Sequence, residues 1–323
     1  MENNPDLFIE INEKNYIFIV GKYDQEQKLQ IKEKIITTNE GIEKNKFVNI
    51  EQAYEIIKRN IEIIEKKIKY VFKDVTIVID NFDYTCVNIS GFKRLNGSQI
   101  LKENISYILN SLKSEIIENE KQKTILHIFN SKSILDGVKS ENLPIGLFGD
   151  FYSHELSFFL INNNDLNNIK KIFNKNNLNI RKIILKQFSE GVQLINKNDN
   201  IENFFRIKIG KNFSHINYFE NHSYRFNQFF NFGTDIIYND ICKICSLDKD
   251  IIVKFFSAEN LNEKIFTDTD HLENNYFLKG NFRKIKKKLI GDIVDARIDE
   301  VINIIFNSNV NIKSKKKSWA KFF

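Results

Sequence analysis

LFIEINEKNYIFIV, residues Leu7–Val20, holds two runs of strand-forming residues, LFIEIN and YIFIV, joined by Glu13-Lys14-Asn15. β-branched and aromatic side chains suit a pleated, half-buried surface, so the pair reads as an N-terminal hairpin. Asn49 then opens a helix: it is a good N-cap and Gln52 sits three residues on, as in a capping box. Ile50, Ala53, Ile57, Ile61, Ile64 and Ile68 recur at helical spacing and make one apolar face. VTIVID, Val75–Asp80, follows as a strand, which makes the opening β-β-α-β.

The hairpin-then-helix part of this order returns approximately later. Phe204–Ile209 and Ser214–Phe219 form a second hairpin around Gly210-Lys211-Asn212, which Phe226–Phe230 extends. A helix over Gly233–Ser246 follows, capped by Thr234. Between the repeats the texture changes from about Thr85 to Leu160. That region carries a helix near Ser98–Glu118, a strand Thr124–Phe129, a turn with Pro144 and Gly146, and a strand Glu155–Ile161. Asp165–Phe173 then reads as an amphipathic helix and Arg181–Lys186 as a strand. Asn281–Asn307 is expected to be the longest helix, with Ile285, Leu289, Ile293, Ala296, Val301 and Ile305 on its core face. Two β-hairpin/α/β halves are the plan of an actin-like fold.

Composition narrows the function classes. At 323 residues, with 42% hydrophobic and 28% charged side chains, the chain suits a folded protein of about two domains and disfavours general disorder. No apolar run approaches the roughly 18 residues of a membrane span. Met1–Asp6 shows no signal-peptide pattern, and three cysteines (Cys86, Cys242, Cys245) exclude a disulfide framework, so a reducing cytoplasm is expected. The abundance of Ile, Asn, Lys and Phe, with two prolines and one methionine, matches AT-rich codons, so single lysines and asparagines carry little information. The net charge of +6 permits an anionic partner and selects none.

Several stretches, in order, resemble FtsA, the actin-like bacterial family that ties the division ring to the inner membrane. Gly41-Ile42-Glu43-Lys44 and Val48-Asn49-Ile50-Glu51 are similar to the family's opening before its long helix. Leu126–Phe129, Leu135-Asp136-Gly137 and Leu143-Pro144-Ile145-Gly146-Leu147-Phe148-Gly149 resemble its "VLHV … IDG … DPLGMSG" signature. Arg181–Leu185 with Gln187-Phe188, Gly233-Thr234-Asp235-Ile236 with Asn239-Asp240-Ile241, and Lys284–Ile305 resemble later segments. The resemblance spans about Leu7 to Ile305. It implies an α/β, actin-like (ribonuclease-H-like) two-domain fold with an inserted SHS2-type α+β subdomain. Residues 1–82 and 162–200 form domain 1, 83–161 the insert, 201–307 domain 2 with a shortened 2B region, and 308–323 a basic aromatic tail.

Actin-like proteins grip nucleotide phosphates with two hairpin turns rich in Gly, Ser and Thr, whose backbone amides approach the phosphates, and with acidic residues for the metal. Here the first turn retains the Glu10 carboxylate, lacks a glycine, and places Glu13 where a phosphate belongs. The second retains Gly210 and Ser214, with Lys208 and His215 where the family has aspartates. Only the tail follows Asn307, where the family has a Gly-rich adenosine segment. ATP is thus the family's nucleotide, but no cofactor-binding, catalytic or metal residue carries over. No enzymatic activity is expected, with residual ATP binding left open.

Cys242-Lys243-Ile244-Cys245 offers two of a structural zinc's four ligands, and its i, i+3 spacing also suits two core cysteines on one helix face. Asp80 and Asp83 read as a strand end and a loop cap. The tail is the strongest positive signal: Lys313, Lys315, Lys316, Lys317 and Lys321 flank Trp319, Phe322 and Phe323. Lysines attract an anionic leaflet and Trp and Phe favour the headgroup boundary, so Lys315, Lys316, Lys317, Trp319, Lys321, Phe322 and Phe323 are expected to anchor an anionic phospholipid membrane. A nucleic-acid role lacks an interleaved basic and aromatic face elsewhere. By resemblance, the expected function is a division adaptor, peripheral on the inner membrane at the division site. It would tether FtsZ filaments, self-associate and meet other divisome proteins. The competing readings are an actin-like ATPase or kinase-type enzyme that retains nucleotide, and a basic nucleic-acid-associated protein.

Overall fold

The computed structural model describes residues 4–12, 14–26, 28–43, 46–80, 82–140, 142–197, 201–258, 266–277 and 282–312. Glu13 and the expected membrane anchor (Lys315, Lys316, Lys317, Trp319, Lys321, Phe322 and Phe323) lie outside them.

The N-terminal hairpin forms as read: β1 (Asp6–Ile11) pairs antiparallel with β2 (Asn15–Tyr23). Leu7, Ile9 and Ile11 alternate inward on one strand and Tyr16, Phe18 and Val20 on the other, so the period of two sets the buried face. A strand that the sequence did not reveal, β3 (Leu29–Thr38), extends the hairpin, and a small hairpin of β4 (Ile42–Glu43) and β5 (Lys46–Phe47) leads to α1 (Ile50–Ile68). Asn49 caps this helix through its side-chain oxygen, which accepts from the amides of Glu51 and Gln52 at 3.1 Å each. Ala53, Ile57, Ile61 and Ile64 are buried.

β6 (Asp74–Ile79) runs parallel to β1, and β11 (Asn179–Leu185) parallel to β6, giving one five-stranded sheet in the order β11-β6-β1-β2-β3. Between β6 and β11 the chain builds a separate sheet. β7 (Tyr84–Arg94), β8 (Lys123–Leu135), β9 (Val138–Ser140) and β10 (Phe151–Asn162) pair antiparallel in the order β7-β10-β8-β9. α2 (Lys102–Asn119) packs Ile108, Leu112 and Ile116 against Tyr152, Leu156, Phe158 and Leu160. This is an inserted α+β subdomain, at the place where the texture of the sequence changes. The Pro144–Gly146 turn is fixed to the segment before α2: the Ile100 amide donates to Leu147 O and the Gly146 amide to Ile100 O, both at 2.8 Å.

α3 (Asn163–Lys175) precedes β11, and α4 (Lys186–Lys197), absent from the sequence reading, follows it directly. The last sheet, β12 (Phe204–Ile209), β13 (Ser214–Glu220) and β14 (Ser223–Phe230), shares no strand with the first. Among the described residues no strand follows β14.

α5 (Asp235–Cys245), α6 (Lys249–Ala258) and α7 (Lys287–Ile302) share a core of Ile241, Phe255, Leu272, Ile290 and Ile293. α7 is shorter than expected, and the 19-residue α1 is the longer helix. The chain before α7 is engaged elsewhere: the Leu272 amide donates to Ile285 O at 2.9 Å, and Lys286 is extended and bridges to His271. The core face of α7 is therefore rotated, with Ile290 buried and Leu289 and Ala296 exposed. Nor does the packing stop at Asn307: Ile312 is buried, and Asn309 Nδ2 donates to Gln228 Oε1 at 2.9 Å. Packing contacts divide the chain into two units, Met1–Arg206 with Asn217–Asn227, and Ile207–Ile216 with Gln228–Phe323.

Candidate functional site

Three parallel strands end side by side in the first unit. Glu10 is the penultimate residue of β1, Asp80 follows β6, and Lys186 and Gln187 follow β11. In open α/β sheets the crevice beyond the carboxyl ends of such strands is where ligands bind. Asp80 is 4% exposed, and its amide donates to Ile11 O at 3.0 Å, which ties the ends of β6 and β1 together. Lys186 Nζ donates to Glu10 Oε1 at 2.5 Å and lies 3.7 Å from Asp80 Oδ2. Gln187, with no exposed surface, donates through Nε2 to Asp80 Oδ1 at 3.1 Å, and its Oε1 is buried without a partner.

The charges continue outward. Glu190, one turn along α4 from Lys186, pairs with Arg206 at 2.5 Å. Burial pulls the Lys186 ammonium toward neutrality. The hydrogen bond to Glu10 and the charges of Asp80, Glu10 and Glu190 outweigh that, so its pKa lies above the ordinary lysine value and it stays charged.

Each hairpin turn is closed by its own hydrogen bonds. In the first, Asn12 Oδ1 accepts from the amides of Lys14 (3.0 Å) and Asn15 (2.8 Å), and Asn12 Nδ2 donates to Glu10 Oε1 at 2.9 Å. The amides that would cradle a phosphate are thus satisfied by a side chain of the turn itself. In the second, within the other unit, the amides of Thr234 and Asp235 at the start of α5 donate to Gly210 O and Lys211 O, both at 2.9 Å. The Ser214 hydroxyl donates to Phe232 O at 2.7 Å. Gly233 permits this closure, because a Cβ there would run into the carbonyl oxygens of Gly210 and Lys211. His215 is buried with its ring against Phe229.

The structure thus joins Glu10 and Asp80 through Lys186, a residue the sequence reading passed over. The available signal was a lysine directly after a buried parallel strand. Asp80 ends its strand as read. Cys245 sits in the core of the second unit and Cys242 is half-buried; burial raises both thiol pKa values and keeps them protonated. Among the described residues no group of three His, Cys, Asp or Glu side chains is arranged to hold a metal ion. The magnesium-nucleotide that the fold class implies does not fit the residues present, since an ammonium lies between the two carboxylates and the Lys14 and Asn15 amides of the first turn are taken.

No family model matches the chain, and no curated protein matches it in sequence. Among solved structures it is similar to a chain of a PilM-PilN type IV pilus biogenesis complex, with a TM-score of 0.51 and 9% identity over 76% of this chain and 66% of that one. It thus spans just under two thirds of that chain's length. It is also similar to ethanolamine utilization protein EutJ from Carboxydothermus hydrogenoformans (TM-score 0.44, 7% identity, 99% of this chain and 74% of that one). A third is a Bacteroides thetaiotaomicron protein with an actin-like ATPase fold and unknown function (TM-score 0.34, 11% identity, 76% and 79%). The chain has a mixed α/β actin-like ATPase fold. At these identities the likeness is one of fold alone and does not single out the FtsA family.

Proposed function

We propose that this chain is an assembly adaptor that works without nucleotide at the inner face of the cytoplasmic membrane, in the manner of the FtsA family. It holds FtsZ filaments there and self-associates beside other division proteins. The observation that carries this reading is Lys186 between Glu10 and Asp80, where an actin-like nucleotidase needs room for a metal. A frame that cannot use phosphate contacts has its surfaces left for protein partners. The similar solved structure, a PilM-PilN complex of pilus biogenesis, supports a role in assembly. No helix of the described residues is long and apolar enough to cross a membrane. In this reading membrane contact falls to the tail around Trp319, whose sequence pairs lysines with aromatic residues.

Co-sedimentation of the full chain with anionic liposomes, with and without FtsZ, tests the reading. The chain should pellet with liposomes, and FtsZ should pellet only when the chain is present. A chain that stays in the supernatant in both conditions would refute the adaptor. Micromolar, magnesium-dependent ATP binding by calorimetry would refute the nucleotide-free part.

A further inference from the structure

Two carboxylates delivered to adjacent strand ends repel one another unless a cation lies between them. Here Asp80 is nearly buried and Glu10 is mostly so, and Gln187 adds a buried amide oxygen, Oε1, that has no donor. Carboxylate and amide oxygens are the ligand set of a hard divalent cation. Lys186 reaches the same point from the first position of α4, 2.5 Å from one carboxylate and 3.7 Å from the other. An ammonium is a compact point charge with three donors, so it can satisfy both groups from one position.

We propose that the Lys186 ammonium is a built-in substitute for a divalent cation, which joins the ends of β1, β6 and β11 permanently and makes the first unit indifferent to metal. This rests on the nucleotide-independence proposed above and extends it. The lysine does not merely block a site; it performs the structural part of the missing ion's work.

The test uses the full chain with Lys186→Ala, which removes the charge and leaves the Glu10 and Asp80 carboxylates without the ammonium that lies between them. Thermal unfolding in EDTA and in millimolar Mg²⁺ is read beside a Mn²⁺ titration followed by electron paramagnetic resonance. The parent protein should melt at one temperature in both buffers and show no saturable Mn²⁺ site. Lys186→Ala should melt several degrees lower in EDTA, recover most of the loss in Mg²⁺, and bind one Mn²⁺. Adding Asp80→Asn should abolish both the recovery and the Mn²⁺ signal, and Lys186→Arg should remain metal-indifferent. A Lys186→Ala protein as stable as the parent in EDTA would overturn the proposal. So would one that divalent ions do not restore, including one that fails to fold in either buffer. Liposome binding by the parent protein is read independently, so failure here leaves the adaptor reading standing, and the reverse.

Discussion

Arg225 should be the costliest single side chain to remove from the first unit. It is 1% exposed on β14, yet carries a full charge. Its Nη2 pairs with Glu155 of the insert, its Nε donates to Glu220 Oε2 at 3.1 Å, and its Nη1 donates to Ser157 Oγ at 3.3 Å. Its own carbonyl accepts from Asn88 Nδ2 at 3.1 Å. Arg225→Met retains the volume and strands two carboxylates. Breaking a buried pair costs about 3–5 kcal/mol; Glu155 and Glu220 are 23% and 12% exposed and can rehydrate in part, which places the loss near about 3 kcal/mol. In urea this is a midpoint lower by about 1 M. Burial alone would raise the Glu155 carboxyl, but the hydrogen bond and charge of Arg225 outweigh it and hold its pKa below the usual value. Glu155 therefore adds stability above its unfolded pKa and loses it as pH falls through the depressed folded value. Protonated carboxyls need no counter-charge, so the gap between parent and variant should narrow toward about pH 4. A loss below about 1 kcal/mol, or a gap that does not change with pH, would refute the assignment of Arg225 as the counter-ion that joins the insert to β14.

Burial lowers the His127 pKa to about 4, so the fold holds the ring neutral while the unfolded chain takes a proton near pH 6.5. Stability should fall between those two values by about 2 kcal/mol, allowing for partial screening, and His127→Phe should flatten the slope of the urea midpoint against pH. Gly191→Ala should cost about 1–3 kcal/mol, because the methyl overlaps the Phe219 ring, itself stacked 4.8 Å from Phe204 and 4.7 Å from Tyr224. A stabilised variant in the same denaturation assay would mean that the ring can move aside. Removing Ser318–Phe323, or Trp319→Glu, should release the chain from anionic liposomes and leave FtsZ binding in solution intact, with salt weakening the parent's binding only in part because the aromatic contribution is not screened. Equal sedimentation of truncated and full chains would place the anchor elsewhere.

The first half was legible because its signals are local. Leu7–Val20 alternates with period two, the α1 face recurs at helical spacing, and Asn49 is a side-chain cap in the structure as in the reading. β3 was hidden because LQIKEKIITT sets charged residues among apolar ones on an exposed edge strand. β7 was hidden by polar residues that satisfy partners far away, as Asn88 does for Ser157 and Arg225. α4 carries Gly191 in mid-helix, which reads against a helix until Phe219 is seen to need the space. Of the candidate site, Glu10 and Asp80 were legible as single strand-end carboxylates, but their junction through Lys186 was not, since Glu10 and Lys186 are 176 residues apart and only the strand order brings them together.

The insert also bears on how the first sheet can close. β11 must find β6 across about 100 residues of chain, and that search has an entropic cost that grows with the logarithm of loop length. The insert's own ends meet, because Tyr84 pairs with Ile161 across β7 and β10. Once its four strands pair among themselves, nearly 80 of those residues contribute almost no span, and the effective loop shrinks to about a quarter of its length. With a coefficient of three halves RT, this lowers the closure cost by about 1 kcal/mol. A subdomain placed between two parallel partners can thus speed their pairing, and substitutions that loosen Ile108 or Leu112 under α2 should slow the formation of a sheet they never touch.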